Sequence, residues 1–168
     1  NELGGLDLLI LGSGPGDIND DLDFEIEKQT IDTNVLGFTC VSSWTFNYFG
    51  KRNFGHLTAI SSVAGLRGGR RAPAYNATKA YQINYLETFR QKATRHKLAI
   101  TVTDIRPGFV NTDMMKGEGH FWVASVEKAA RQIFGAIRKK KNIVYVSKRW
   151  RMIAVLSKLI PGWLYARM

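Results

Sequence analysis

Only one cysteine, Cys40, occurs in 168 residues, so no disulfide can close within the chain, and this usage suits a reducing compartment. The three histidines, His56, His96 and His120, stand far apart and have no Cys or His neighbours, which leaves no metal-ligand spacing. No signal-peptide pattern opens the chain, and no apolar run of about 18 residues interrupts it. These absences lead to the expectation of a soluble, cytoplasmic protein. Repeats, low-complexity segments and interdomain linkers are also missing. Residues 1–168 therefore read as one domain, long enough for a real core. The first residue is Asn1 rather than a methionine, which adds the expectation of a longer parent.

What is present in excess is positive charge, a net +10. It falls at Arg67, Arg70 and Arg71, at Arg138 to Lys141, and at Lys148, Arg149 and Arg151. None of these groups is interleaved with aromatics as on a single-strand binding platform, so no nucleic-acid partner is expected. Solvated loops and helix ends account for them, and so does an anionic ligand such as a nucleotide phosphate.

Apolar patterning gives an alternating order of elements. "LDLLIL" (6–11) is a short, nearly continuous apolar run that stops at "GSGPG", as a strand buried on both faces would. An acidic stretch from Asp17 to Glu27 follows, then helical spacing over 30–52. "GHLTAISS" (55–62) reads as a strand and "VAGLRGGRRA" (63–72) as a loop. Pro73 opens a helix to about Lys97. "LAITVTDIRPG" (98–108) is a strand, "FVNTDMMKGEGHFW" a loop or lid, and 125–141 a helix capped by Ser125. "NIVYVS" (142–147) is a strand, and a basic amphipathic tail (149–168) broken by Pro161 ends the chain. The alternation predicts an α/β fold with a parallel sheet and helices on both faces. Ligands in such sheets sit beyond the carboxyl ends of the strands, here "GSGPG", "SSVAG" and "PGFVNT".

Within "AYNATKA" (74–80), Tyr75 and Lys79 lie four residues apart and share a helix face. A free phenol titrates near ~10, too high for efficient proton transfer at neutral pH. An adjacent ammonium lowers that value by favouring the phenolate. Ser62 ends the preceding strand, where its hydroxyl can reach a substrate oxygen. Asn34 lies on the preceding helix, where its amide can hold a water beside Lys79. Each residue also has an ordinary explanation: an incidental Tyr-x-x-x-Lys, a serine that caps a turn, an asparagine bonded to nearby backbone.

In combination, "DTNVLG", "AISSVAG", "YNATK" and "RPGFVNT" resemble the short-chain dehydrogenase/reductase family over nearly the whole chain. The resemblance implies the C-terminal portion of a Rossmann-like doubly wound parallel sheet, with strands equivalent to the family's fourth to seventh. It implies a catalytic tetrad of Asn34, Ser62, Tyr75 and Lys79, with NAD or NADP as cofactor and a small-molecule carbonyl/alcohol pair as substrate. Tyr75 would move the proton, while Lys79 would hold the nicotinamide ribose and tune the tyrosine. Pro107 and Gly108 would shape the nicotinamide pocket, and Val110 and Thr112 would bind the carboxamide. Gly12, Ser13 and Gly14 stand where the family carries Asn-Asn-Ala-Gly, so backbone can still approach the cofactor while the asparagine contacts are lost. The Gly-rich first βα turn that holds the pyrophosphate is not in this sequence. The first strand would then be a bare apolar edge. The alternative is a truncated, non-catalytic fragment or interaction module unable to bind a dinucleotide.

The resemblance also implies a homo-oligomer, in which the Tyr75 helix and its predecessor meet a second subunit and Ala77 and Ala80 permit close approach. The Tyr81, Tyr85, Phe89 stripe suits the core or that contact. Arg70 and Arg71 stand near the expected substrate entrance. The basic tail can cover the substrate pocket, pack on a neighbouring subunit or lie on an anionic membrane surface.

Overall fold

The computed structural model describes residues 4–112 and 121–167. Its four strands are β1 (Leu8–Leu11), β2 (Gly55–Ile60), β3 (Ile100–Pro107) and β4 (Ile143–Val146), all parallel and side by side in chain order. Parallel neighbours require long crossovers, and each here is helical. Between β1 and β2 run α1 (Phe24–Ile31), a π-helical turn (Asp32–Gly37) and α2 (Phe38–Arg52). A 3₁₀ turn (Val63–Leu66) and α3 (Pro73–Arg95) lead to β3, and α4 (Val126–Arg138) leads to β4. The tail forms α5 (Trp150–Leu159) and α6 (Gly162–Tyr165), separated at Pro161 as the sequence predicts.

Strand β3 shows why helices lie on both faces. Successive strand residues point to opposite sides. Ile100 and Val102 join Leu57, Phe49 and Leu86 in a core beneath α2 and α3. Ile105 faces the other way and packs with Val146 and with Ala129 and Ala136 of α4. The Tyr81, Tyr85, Phe89 stripe lies inside the chain: the Tyr81 and Tyr85 hydroxyls pair with Thr39 and Ser43 of α2, and Phe89 stacks on Phe46.

The first helical run starts at Phe24, earlier than the 30–52 pattern suggests. Asp23 caps it by accepting the Glu25 amide at 2.9 Å. Glu25 and Glu27 occupy the first turn, where the helix dipole favours negative charge. The end of the acidic stretch is thus the beginning of a helix. Strand β1 pairs only with β2 among the described residues, and Leu8 and Ile10 are 39% and 47% exposed. That is the apolar edge expected from the sequence. The expected loop or lid over 109–122 lies partly outside the described residues. No helix among the described residues is long and apolar enough to cross a membrane.

Candidate active site

Because all strands run the same way, their carboxyl ends converge. The segments after β1, β2 and β3 and the inner face of the tail enclose a cleft of about 930 Å³. Gly12, Gly14, Ser62, Tyr75 and Lys79 line it, and so do Pro107, Gly108, Val110 and Thr112. Asn34 lies just behind the wall and is fully buried. Ser13 is exposed and is not one of the lining residues. Arg70 and Arg71 are exposed and also outside the lining, whereas Arg67 belongs to it.

Tyr75 and Lys79 sit in the first two turns of α3. The start of that helix is fixed by a residue from another element. Ala72 offers no side-chain cap, and the Ala74 amide instead donates to Glu27 Oε2 of α1 at 2.8 Å. The other oxygen of Glu27 accepts from the buried Asn19 amide at 2.7 Å. Lys79 is 2% exposed, and its Nζ donates to the Ile60 carbonyl at 2.9 Å and to Gln82 Oε1 at 3.1 Å. Burial lowers its pKa to about 8, opposed by the Asp104 carboxylate. Asp104, buried on β3, also accepts from Ser61 Oγ and pairs with Arg106 at 2.7 Å.

Burial raises the Tyr75 pKa, and the Ser62 hydroxyl opposes that rise. The Lys79 ammonium stands 5.6 Å from the ring centroid and points to Ile60 and Gln82. Tuning of the phenol by Lys79, expected from the sequence, is therefore not what dominates here. Desolvation does. Ser62 has two tasks, since its Oγ also accepts the Ala64 amide at 3.1 Å and caps the 3₁₀ turn.

The Asn34 side chain has one end engaged within the protein and the other without a protein partner. Its Nδ2 donates to the Pro15 carbonyl at 2.8 Å and to Thr78 Oγ1 at 3.0 Å, while Oδ1 has no protein partner. The link to Lys79 runs instead from the Asn34 main-chain carbonyl, which accepts Gln82 Nε2 at 3.0 Å. Gln82 thus joins the two with one amide. The π-helical turn favours this arrangement. The Phe38 N–H bonds to the Thr33 and Val35 carbonyls and passes over that of Asn34, four residues back. Gln82 carried no sequence signal beyond being a polar residue three positions after Lys79.

Two glycines bring main chain onto the pair. A Cβ at Gly14 would lie 2.3 Å from Lys79 Nζ, and one at Gly16 would lie 2.1 Å from Tyr75 Cδ2. Gly108 similarly sits against the Trp150 indole, 2.1 Å from where its Cβ would be. Pro107, Gly108, Val110 and Thr112 share the cleft with Tyr75 and Lys79, and the Thr112 hydroxyl donates to the Val110 carbonyl at 3.4 Å. Glycine-lined main chain, a buried ammonium and a small hydroxyl set fit the nicotinamide and ribose end of a dinucleotide.

The comparisons agree with this architecture. The model of the short chain dehydrogenase family matches residues 1–121, and the chain belongs to that family. It is 36% identical over 115 residues to an uncharacterized oxidoreductase of Myxococcus xanthus, covering 67% of this chain and 45% of that protein. The chain spans about half the length of the curated relatives it matches. Among solved structures, a short chain dehydrogenase from Burkholderia cenocepacia in complex with NADP superposes with a TM-score of 0.77 at 20% identity, covering 96% of this chain and 70% of that one. A short chain dehydrogenase/reductase from Burkholderia phymatum in complex with NAD gives 0.75 at 16% identity, covering 91% and 65%. Such identities show a shared fold.

Proposed function

We propose that this chain carries the catalytic half of an NAD(P)-dependent oxidoreductase that interconverts a bulky apolar ketone and its secondary alcohol. The observation that supports it most is the juxtaposition of a half-buried Tyr75 phenol, the Ser62 hydroxyl and a buried Lys79 ammonium in one large cleft. Ser62 holds the substrate oxygen. Tyr75, kept protonated by burial, donates its proton to that oxygen in the reducing direction and takes it back in the other. Lys79 holds the ribose hydroxyls of the dinucleotide, and Val110 and Thr112 receive its carboxamide. A bound nicotinamide supplies hydride exchange with the substrate carbon. Asn34 and Gln82 position Lys79.

The substrate class follows from the wall. Leu66, Phe109, Ile133, Trp150 and Ile153 surround the space next to Ser62 and Tyr75. Two polar side chains of the lining are occupied: Arg67 Nη1 donates to the Ser157 and Ile160 carbonyls, and Asn76 Nδ2 to those of Ala64 and Arg67, while the Trp150 indole N–H has no protein partner. A substrate with several hydroxyls or charges would lose hydration there with little replacement.

The test is turnover of apolar cyclic and long-chain ketones with NADH and NADPH, comparing wild type with Tyr75→Phe. The variant is expected to lose on the order of 10²–10⁴ in rate while still binding cofactor. Equal rates in the two proteins would end the tyrosine acid/base assignment. A second reading, that residues 1–168 alone do not hold a dinucleotide, is favoured by the absence from this sequence of a Gly-rich pyrophosphate turn. Fluorescence titration of NADH separates the two. A dissociation constant in the micromolar range supports catalysis by the chain itself. No binding, with binding restored in an N-terminally extended version, supports the second reading.

A further inference from the structure

The tail is a helix with two apolar faces, and only one is used. At 100° per residue, Trp150, Ile153 and Ala154 project to one side of α5, where they are buried or half-buried and close the cleft. Met152, Val155 and Leu159 project to the opposite side, with Met152 64% and Leu159 74% exposed. Trp163 of α6 is exposed as well, at 66%. Arg151 and Lys158, seven residues apart and both exposed, form a basic seam beside the outer stripe. Lys148, Arg149 and Arg167 are exposed as well.

The charge of the chain is weighted toward its end, and five cations, Lys148, Arg149, Arg151, Lys158 and Arg167, belong to the tail or adjoin it. Residues 128–168 contain eleven lysines and arginines and no aspartate or glutamate. Residues 1–127 hold thirteen basic and fourteen acidic residues, a net of −1. The positive excess thus belongs entirely to the last 41 residues. An exposed apolar stripe with an acid-free basic flank is complementary to a surface that is apolar within and anionic outside.

We propose that the outer face of α5 and α6 docks on an anionic lipid bilayer. The outer stripe buries in the acyl boundary, Trp163 sits at headgroup level, and the cations face the phosphates. The chain lies on the surface rather than spanning it, since α5 is only ten residues long. Docking also places the cleft at the lipid. Leu156, Phe121 and Val126 line the cleft and are themselves exposed at its mouth, so an apolar substrate can pass from bilayer to site across apolar surface.

The test is co-sedimentation of the 168-residue chain with phosphatidylcholine vesicles, with and without phosphatidylserine at about one third. Binding is expected to phosphatidylserine vesicles, weakening with salt. Arg151→Glu with Lys158→Glu is expected to weaken it at least about tenfold, given roughly 1 kcal/mol per basic residue near such a surface. Met152→Asp with Leu159→Asp is expected to abolish it while leaving the circular dichroism unchanged. In wild type, brominated lipid is expected to quench fluorescence, and much of that quenching should vanish in Trp163→Phe, a readout that needs no folding comparison. Absence of sedimentation with phosphatidylserine vesicles overturns the proposal. So does a dimer that Met152→Asp with Leu159→Asp dissociates in the absence of vesicle binding, because the face would then belong to a second copy. Binding to a DNA duplex that is sensitive to the charge variant but indifferent to the apolar one, again without vesicle binding, overturns it in favour of nucleic acid.

Discussion

Gln82 and Lys79 illustrate how much chemistry rests on single buried side chains. Replacing Gln82 by Leu removes a partner from both the Asn34 carbonyl and the Lys79 ammonium. The cost is expected at about 1–3 kcal/mol of stability, with the Lys79 pKa falling further. Gln82→Glu sets a carboxylate against the ammonium and moves that pKa the opposite way. Titration of the Lys79 Nζ resonance in both variants checks this, and shifts of the same sign would contradict the bridging role. Lys79 itself binds its proton less tightly in the folded chain, about 8 against an ordinary 10.5. Between those values the unfolded chain binds more protons, so folding stability rises with pH from about 8 to about 10.5. The contribution is on the order of 3 kcal/mol. It is expected to appear as a difference in slope between wild type and Lys79→Met in denaturant unfolding at pH 7, 9 and 10.5. Tyr75, Lys79 and Ser62 were legible because their spacing and strand-end positions reflect chemistry. Gln82 and Asp104 were not, because their roles depend on which atoms meet across elements 40 or more residues apart, as in the Gln82 to Asn34 bond.

Among the elements, the segment after β1 is the most sharply constrained. Gly16 lies over the ring, Cγ and Cβ of Tyr75, so no movement of a flexible tip relieves a new methyl group. Gly14 meets mainly the end of the Lys79 side chain, which can shift. Gly16→Ala is therefore expected to cost more than Gly14→Ala, by roughly 1–3 kcal/mol as for other overpacked sites. Thermal unfolding of the two variants checks the ranking. Strand ends and the later helices were readable from apolar period and from Pro73, Ser125 and Pro161. The start of α1 was not, because an acidic stretch shows no apolar period, and the Ala74 amide that engages Glu27 comes from an element 47 residues away. The π-helical turn was hidden as well, since "DTNVLG" fits an ordinary helix period just as well.

At the scale of the whole molecule, the apolar edge of β1 is the main hazard. An unpaired parallel edge invites strand addition by another copy. Ile10→Lys, on its exposed side, is expected to lower turbidity on concentration without loss of helical signal, and unchanged turbidity would count against the edge as the cause. The side-by-side order of the four strands has a consequence for synthesis. During translation the chain emerges from its amino end, and domains generally fold as units in that direction. Because position in the sheet follows position in the chain, β2, β3 and β4 each meet an earlier neighbour already made as they leave the ribosome. The sheet can therefore grow outward strand by strand, with the residues of the cleft assembled one segment at a time as β1, β2 and β3 are laid down.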